Sequence, residues 1–204
     1  MIAIVDYGLG NVQAIANIYR RLDLPCQLAR QSSDLAVASH IVLPGVGAFD
    51  WAMTKLNESG MREALDNAVM IQKRPVLGIC VGMQMLARRS DEGSAPGLGW
   101  LNAEVKRLDP GPEDAPLQLP HMGWNDVMPR STDGLFAGFE PSPRFYFLHS
   151  YYFSPDDPVD ALAESDYGAT FTCAVRRGNV HGVQFHPEKS HAWGIQLLKN
   201  FANI

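Results

Sequence analysis

Cys80 stands between two glycines in Gly78-Ile79-Cys80-Val81-Gly82, with the apolar run Pro75-Val76-Leu77 before it and the helix-like Met83-Gln84-Met85-Leu86 after it. This is the spacing of a nucleophile elbow, in which a sharp strand-to-helix turn lifts the middle side chain out of the sheet. Such a turn strains the middle residue and brings its flanks against neighbouring backbone, so glycine is needed on either side. The unpaired amides at a helix start favour a thiolate over a thiol. The same amides can hold the oxyanion that forms when a thiolate attacks a carbonyl. The competing reading is a small buried cysteine in an apolar strand, with no chemistry attached.

A cysteine nucleophile needs a base, and the chain has six histidines. His186 ends the apolar run of Gly182-Val183-Gln184-Phe185, and Pro187 biases it towards an extended conformation. Residues two apart in an extended chain share a face, so Glu188 is expected beside His186, where it can fix the imidazole's tautomer. Cys80, His186 and Glu188 are then a complete triad by type. His40 and His181 read as ordinary strand or surface positions, and His191 as a residue at the start of the last helix. His121 and His149 each sit among aromatics, as residues of a pocket wall do, although core packing is the default for either alone.

These residues must be carried by elements. Ile2 to Val5 and then Val12, Ile15, Ala16, Tyr19 and Leu22 read as strand, loop and helix. The unit recurs at residues 40–45, leading into a helical stretch over residues 51–71, and at residues 75–79, leading into residues 83–89. Repeated strand and helix imply a parallel sheet flanked by helices. Beyond residue 93 short β-like pieces take over, at residues 144–153, 170–177 and 179–185, with a hairpin turn between the last two. Residues 108–120 read as an exposed loop, and residues 193–204 as a closing amphipathic helix. Gly8 and Gly10 follow the first strand, but Gln13 occupies the third glycine position of a dinucleotide fingerprint, so no nucleotide site is expected. Gly45 and Gly47 expose backbone amides at the carboxyl edge of the sheet, as an anion nest or a tight turn.

Composition narrows the classes. The 204 residues are 46% hydrophobic and carry a net charge of −5 with scattered Lys and Arg, which fits one domain over residues 1–204 and gives nucleic acid no basic stripe. No stretch approaches the ~18 apolar residues of a membrane span, and no basic leader precedes the first strand. A cytoplasmic protein with no membrane association is expected. Cys26, Cys80 and Cys173 are too few and too irregularly spaced for a disulfide framework or a zinc site, so no metal is expected.

Five ordered motifs, "DYGLGN", "PGVG", "GICVGMQ", "LPHMGWND" and "HPEKS", span the chain. Together they resemble the class I (triad) glutamine amidotransferases, and within them the glutaminase subunits of imidazole glycerol phosphate synthase. The resemblance implies a flavodoxin-like α/β fold with a mixed, mostly parallel sheet. It implies that Cys80 attacks the carboxamide of glutamine, with His186 moving the proton and Glu188 orienting His186. Backbone amides of Val46, Gly47 and Val81 would form the oxyanion hole, and Gln84, Glu92, His149 and Ser150 would hold the substrate. Ammonia would pass to a (β/α)8-barrel cyclase subunit in a heterodimer serving histidine biosynthesis, with Asn11, Trp124 and Lys189 facing that partner. No cofactor is implied. Residues 88–100, 145–153 and 174–194 also resemble a paralogous branch that supplies ammonia to an N-acetyl sugar of surface polysaccharides. A stand-alone cysteine hydrolase is the alternative of another class.

Overall fold

The computed structural model describes residues 1–109, 111, 116–139 and 142–204. The chain opens with β1 (Ile2–Val5), buried at every position, and turns through Gly8 and Gly10 into α1 (Val12–Arg21). Ile15, Ala16, Ile18 and Tyr19 form the buried stripe of α1, and Arg20 and Arg21 close it where the helix dipole favours positive charge. β2 (Cys26–Ala29) and β3 (His40–Gly45) follow, and β3 leads through Val46 and Gly47 into α2 (Phe49–Glu58). The single helix expected over residues 51–71 is broken. Gly60, at φ +70°, supplies the left-handed residue that stops α2. The chain restarts as α3 (Arg62–Asp66) and ends in a π-helical turn, Asn67–Ile71.

β4 (Val76–Cys80) is buried at all five positions without alternation, as a strand covered on both faces must be. The helix after it, α4 (Val81–Gln84), is shorter than residues 83–89 suggest. Sheet pairing takes over: the Arg88 amide donates to the Ala103 carbonyl, and β5 (Arg89–Ser90) runs beside β6 (Ala103–Arg107). Of the expected loop at 108–120, residues 110 and 112–115 lie outside the described residues. β7 (His121–Asp126) and β8 (Met128–Pro129) come next. The aromatic stretch at 144–153 divides at Ser150 into β9 (Arg144–His149) and β10 (Tyr151–Pro155), which pair with β7 and β6 respectively. β11 (Ala161–Tyr167), β12 (Ala169–Arg177), β13 (Val180–Val183) and α5 (His191–Phe201) complete the chain.

The main sheet has the order β2-β1-β3-β4-β13-β12-β11-β8, parallel from β2 to β13 and antiparallel beyond. α1 packs on α5, and α2 on α4. The expected hairpin is present: Arg177 faces Val180, leaving Gly178 and Asn179 as a two-residue turn. At the middle of the sheet Gly45 stands opposite Cys80, and Val183 opposite Ile79. The carboxyl ends of β3, β4 and β13 therefore meet at one edge, where open parallel sheets bind their ligands. Among the described residues no helix is long and apolar enough to cross a membrane.

Candidate active site

Cys80 ends β4 with φ +55° and ψ −115°, a conformation that residues with side chains rarely adopt. The flanking glycines explain how the turn closes. A Cβ on Gly78 would lie 2.7 Å from the Gly82 carbonyl oxygen, and one on Gly82 only 1.9 Å from that of Leu43. As the first residue of α4, Val81 keeps an amide without an intrahelical acceptor. Cys80 is 4% exposed. Its sulfur is 3.9 Å from the Leu148 carbonyl oxygen and 3.9 Å from Nε2 of Gln184, which donates towards it.

His186 reaches the same place from the carboxyl end of β13, the strand beside β4. Its amide donates to the Tyr146 carbonyl at 2.9 Å, and the Ser190 hydroxyl donates to the His186 carbonyl at 2.6 Å. Glu188 meets His186 for a reason other than the alternation of an extended chain: Pro187–Lys189 is a 3-10 turn that folds the carboxylate back. Nδ1 of His186 donates to Oε1 of Glu188 at 2.9 Å, which leaves Nε2 to exchange a proton. Oε2 of Glu188 is buried with no hydrogen-bond partner among the described residues. Burial opposes a charged imidazole, but the Cys80 sulfur and the Glu188 carboxylate outweigh it and raise the His186 pKa to about 10. The arrangement favours an imidazolium facing the sulfur.

Both groups border a cavity of about 330 Å3, lined also by Val46, Gly47, Val81, Gln84, Glu92, His149, Ser150 and Lys189. That is near the small end of ligand cavities, ~300–1,000 Å3. The structure thus brings every expected oxyanion and substrate residue to one wall or another, with Glu188 just behind. A larger cavity, about 430 Å3, lies between Ser32 and Arg74 and holds none of them. Nε2 of Gln84 is occupied, donating to the Tyr151 carbonyl and to Oε1 of Gln184. Oε2 of Glu92 accepts from the Phe49 amide at the start of α2, and Oε1 has no protein partner among the described residues. Asp50 fixes that loop by accepting from the amides of Ser94 and Ala95. Those amides hold its carboxyl below the usual carboxylate range.

His149 is wired inward. Its Nδ1 must donate to the Tyr151 carbonyl, so in the neutral ring Nε2 accepts from Nδ1 of His121 at 3.0 Å. His121 in turn accepts at Nε2 from the Asn125 amide. Burial lowers His149 to about 3 and His121 to about 4, so both rings are neutral and each tautomer is fixed. The His149 side chain therefore has no polar atom left for a ligand. The Ser150 hydroxyl does, since no described residue bonds it.

Asn11, Trp124 and Lys189 are exposed around this edge. Trp124 stacks on His191 at 5.3 Å, and Lys189 lies over the Tyr146 ring. Trp124 shares a face of β7 with Met122, which is 62% exposed. Among the described residues no group of three or more His, Cys, Asp or Glu is placed to hold a metal ion.

The family description "Glutamine amidotransferase class-I" matches residues 3–204. The chain is a class I glutamine amidotransferase. This amidotransferase is 58% identical over 204 residues to "Imidazole glycerol phosphate synthase subunit HisH" of Bdellovibrio bacteriovorus, with 100% of both chains covered. The subunit of the same name from Leptospira interrogans is 48% identical, and "subunit HisH 2" of Pseudomonas aeruginosa 45%, each again over the whole of both chains. A solved glutamine amidotransferase superposes with a TM-score of 0.76 at 19% identity, covering 100% of this chain and 99% of the other. PurLQS of Thermotoga maritima gives 0.71 at 16% identity, covering 99% and 97%. At those identities the likeness is one of fold, and the fold agrees with the α/β expectation.

Sequence reasoning missed three features that shape the amidotransferase's cavity. Gln184 precedes His186 by two residues, the same spacing argument that was applied to Glu188, and so was within reach. Asp50 and the pairing of His121 with His149 had no local signal, because each acts on a segment distant in the chain.

Proposed function

We propose that this amidotransferase is the glutaminase subunit of an imidazole glycerol phosphate synthase, hydrolysing glutamine to glutamate and ammonia for a cyclase subunit of histidine biosynthesis. The observation that supports it most is a cysteine in the left-handed region, set on a small cavity that it shares with the His186–Glu188 pair. The full-length likeness to subunits of that synthase supports the pathway.

In this reading the Cys80 thiolate attacks the carboxamide carbon. The amides of Val81 and of Val46–Gly47 hold the oxyanion, and the imidazolium of His186 gives its proton to the departing nitrogen. Ammonia leaves and a glutamyl thioester remains on Cys80. His186, now neutral, draws a proton from water as water attacks the thioester, releasing glutamate and restoring the ion pair. Glu188 keeps Nε2 of His186 towards the sulfur throughout. The free carboxylate oxygen of Glu92 suits the α-ammonium of the substrate, and Gln84 and the Ser150 segment hold its amino-acid end. Asn11, Trp124 and Lys189, with Met122 beside them, form the docking surface for a (β/α)8-barrel partner.

The test is Cys80→Ala in the complex with the histidine-pathway cyclase. Glutamine-dependent turnover is expected to vanish, while turnover with ammonium salts persists. Loss of both would overturn this division of labour. Failure to pair with that cyclase would move the acceptor to a polysaccharide sugar, and vigorous ester or peptide hydrolysis by the isolated chain would favour a stand-alone hydrolase.

A further inference from the structure

The stretch Asp6-Tyr7-Gly8-Leu9-Gly10 takes no part in the bond-making and bond-breaking steps. Tyr7 is 6% exposed, and its hydroxyl donates to the Pro44 carbonyl at 2.8 Å, with the Met85 sulfur 3.5 Å away. Burial, reinforced by the Cys80 sulfur, raises its pKa well above that of an ordinary tyrosine, so the O–H persists as a donor. Pro44 is the last residue but one of β3, and Gly45 after it leads into the Val46–Gly47 loop.

That exit is held from three sides. A Cβ on Gly45 would lie 2.6 Å from the Gly82 amide nitrogen and 3.1 Å from the Tyr7 hydroxyl, so Gly45 is wedged between the elbow and the phenol. Gly10, at φ +95°, presses on Pro44 itself: a Cβ there would lie 2.8 Å from that of Pro44. Two residues past Gly45 the constraint ends. Gly47, at φ +86°, has nothing within 4 Å of where its Cβ would be. The loop has a clamped root and a free tip.

We propose that Tyr7 is a positioning residue for the oxyanion hole: by holding the Pro44 carbonyl, its hydroxyl sets the plane of the Pro44–Gly45 peptide and so the direction in which the Val46 and Gly47 amides leave the sheet. The peptide is planar, so a fixed carbonyl also fixes the amide that follows it. Oxyanion donors act only within ~2.7–3.1 Å of the developing charge, so a small rotation at the root is felt at the tip. This inference rests on the oxyanion assignment proposed above.

Two reactions of the same sulfur separate the loop from the thiol. Glutamine hydrolysis passes through an oxyanion; alkylation by iodoacetamide, in which the thiolate displaces iodide from a saturated carbon, does not. In the assembled synthase, Tyr7→Phe is expected to lower kcat for glutamine about 10-fold, short of the ~10²–10³ cost of losing a donor outright. KM should stay within about twofold, the signature of an interaction made in the transition state. Alkylation of Cys80 and turnover with ammonium salts should be unchanged, the latter reporting an intact complex. Met85→Leu, which removes only the hydroxyl's second neighbour, should match wild type. An unchanged kcat in Tyr7→Phe, a parallel loss of alkylation, or an equal loss in Met85→Leu would each overturn the proposal. Failure of the underlying reading is separately visible, as wild-type glutamine turnover that survives Cys80→Ala.

Discussion

His186 sits under opposing influences, and its pKa of about 10 records which side wins. An unfolded histidine titrates near ~6.5. The folded protein thus binds this proton more tightly, and the resulting stability is fully present below ~6.5 and lost as pH climbs through about 10. Replacing Glu188 by Gln removes one of the charges that raise the pKa. Thermal melts of the wild type should therefore fall more steeply between about pH 7 and about pH 10 than those of Glu188→Gln, and equal slopes would mean that the carboxylate does not charge the ring. At this scale the sequence was most informative where a residue stood at a fixed offset from a glycine or a proline: Cys80 from Gly78 and Gly82, His186 from Pro187. It was silent where partners are far apart in the chain. His121 and His149 lie 28 positions apart. Nothing in either neighbourhood says that the two rings satisfy each other and leave the His149 stretch of the cavity wall uncharged.

The elbow joins β4 to α4, and it closes only because Leu43 of the adjacent strand can approach Gly82. A Cβ there would sit 1.9 Å from a backbone oxygen of the central sheet, which has no rotamer to adopt in response. Gly82→Ala should therefore destabilise the fold by more than ~4 kcal/mol, in the range that marks a structural collision. Denaturant titration measures this directly, and a midpoint close to wild type would show that the turn can relax. Helix extents were legible less well than strands. Residues 83–89 have good helical composition, yet the pairing of Arg88 with Ala103 claims the backbone after one turn. Gly60 similarly divides a stretch whose apolar spacing continues past it. In both places tertiary hydrogen bonding or a left-handed turn overrides a pattern that only side-chain periodicity can reveal.

Across the whole molecule, the sheet places β4 between β3, its near neighbour in sequence, and β13, from the far end of the chain. The alternation of strand and helix indicated a parallel sheet but could not say which late strand would lie beside β4, because that choice depends on packing over the full length. A chain cut after Arg177 would keep β4 and lose its second neighbour, exposing a five-residue apolar edge of the kind that pairs with other chains. Such a truncation is expected to be recovered mainly as insoluble aggregate, and a soluble monomer on size-exclusion chromatography would contradict this. The same geometry gives the protein a timetable. Val76 and its partner Val180 are about a hundred residues apart, so at ~5–20 residues per second the ribosome delivers β13 roughly 5–20 s after β4. For that interval the nascent chain carries Cys80 on an open strand, with neither the histidine nor the carboxylate yet made. The thiol is vulnerable as a chemical group during this time, and it waits for partners that are translated about a hundred positions later.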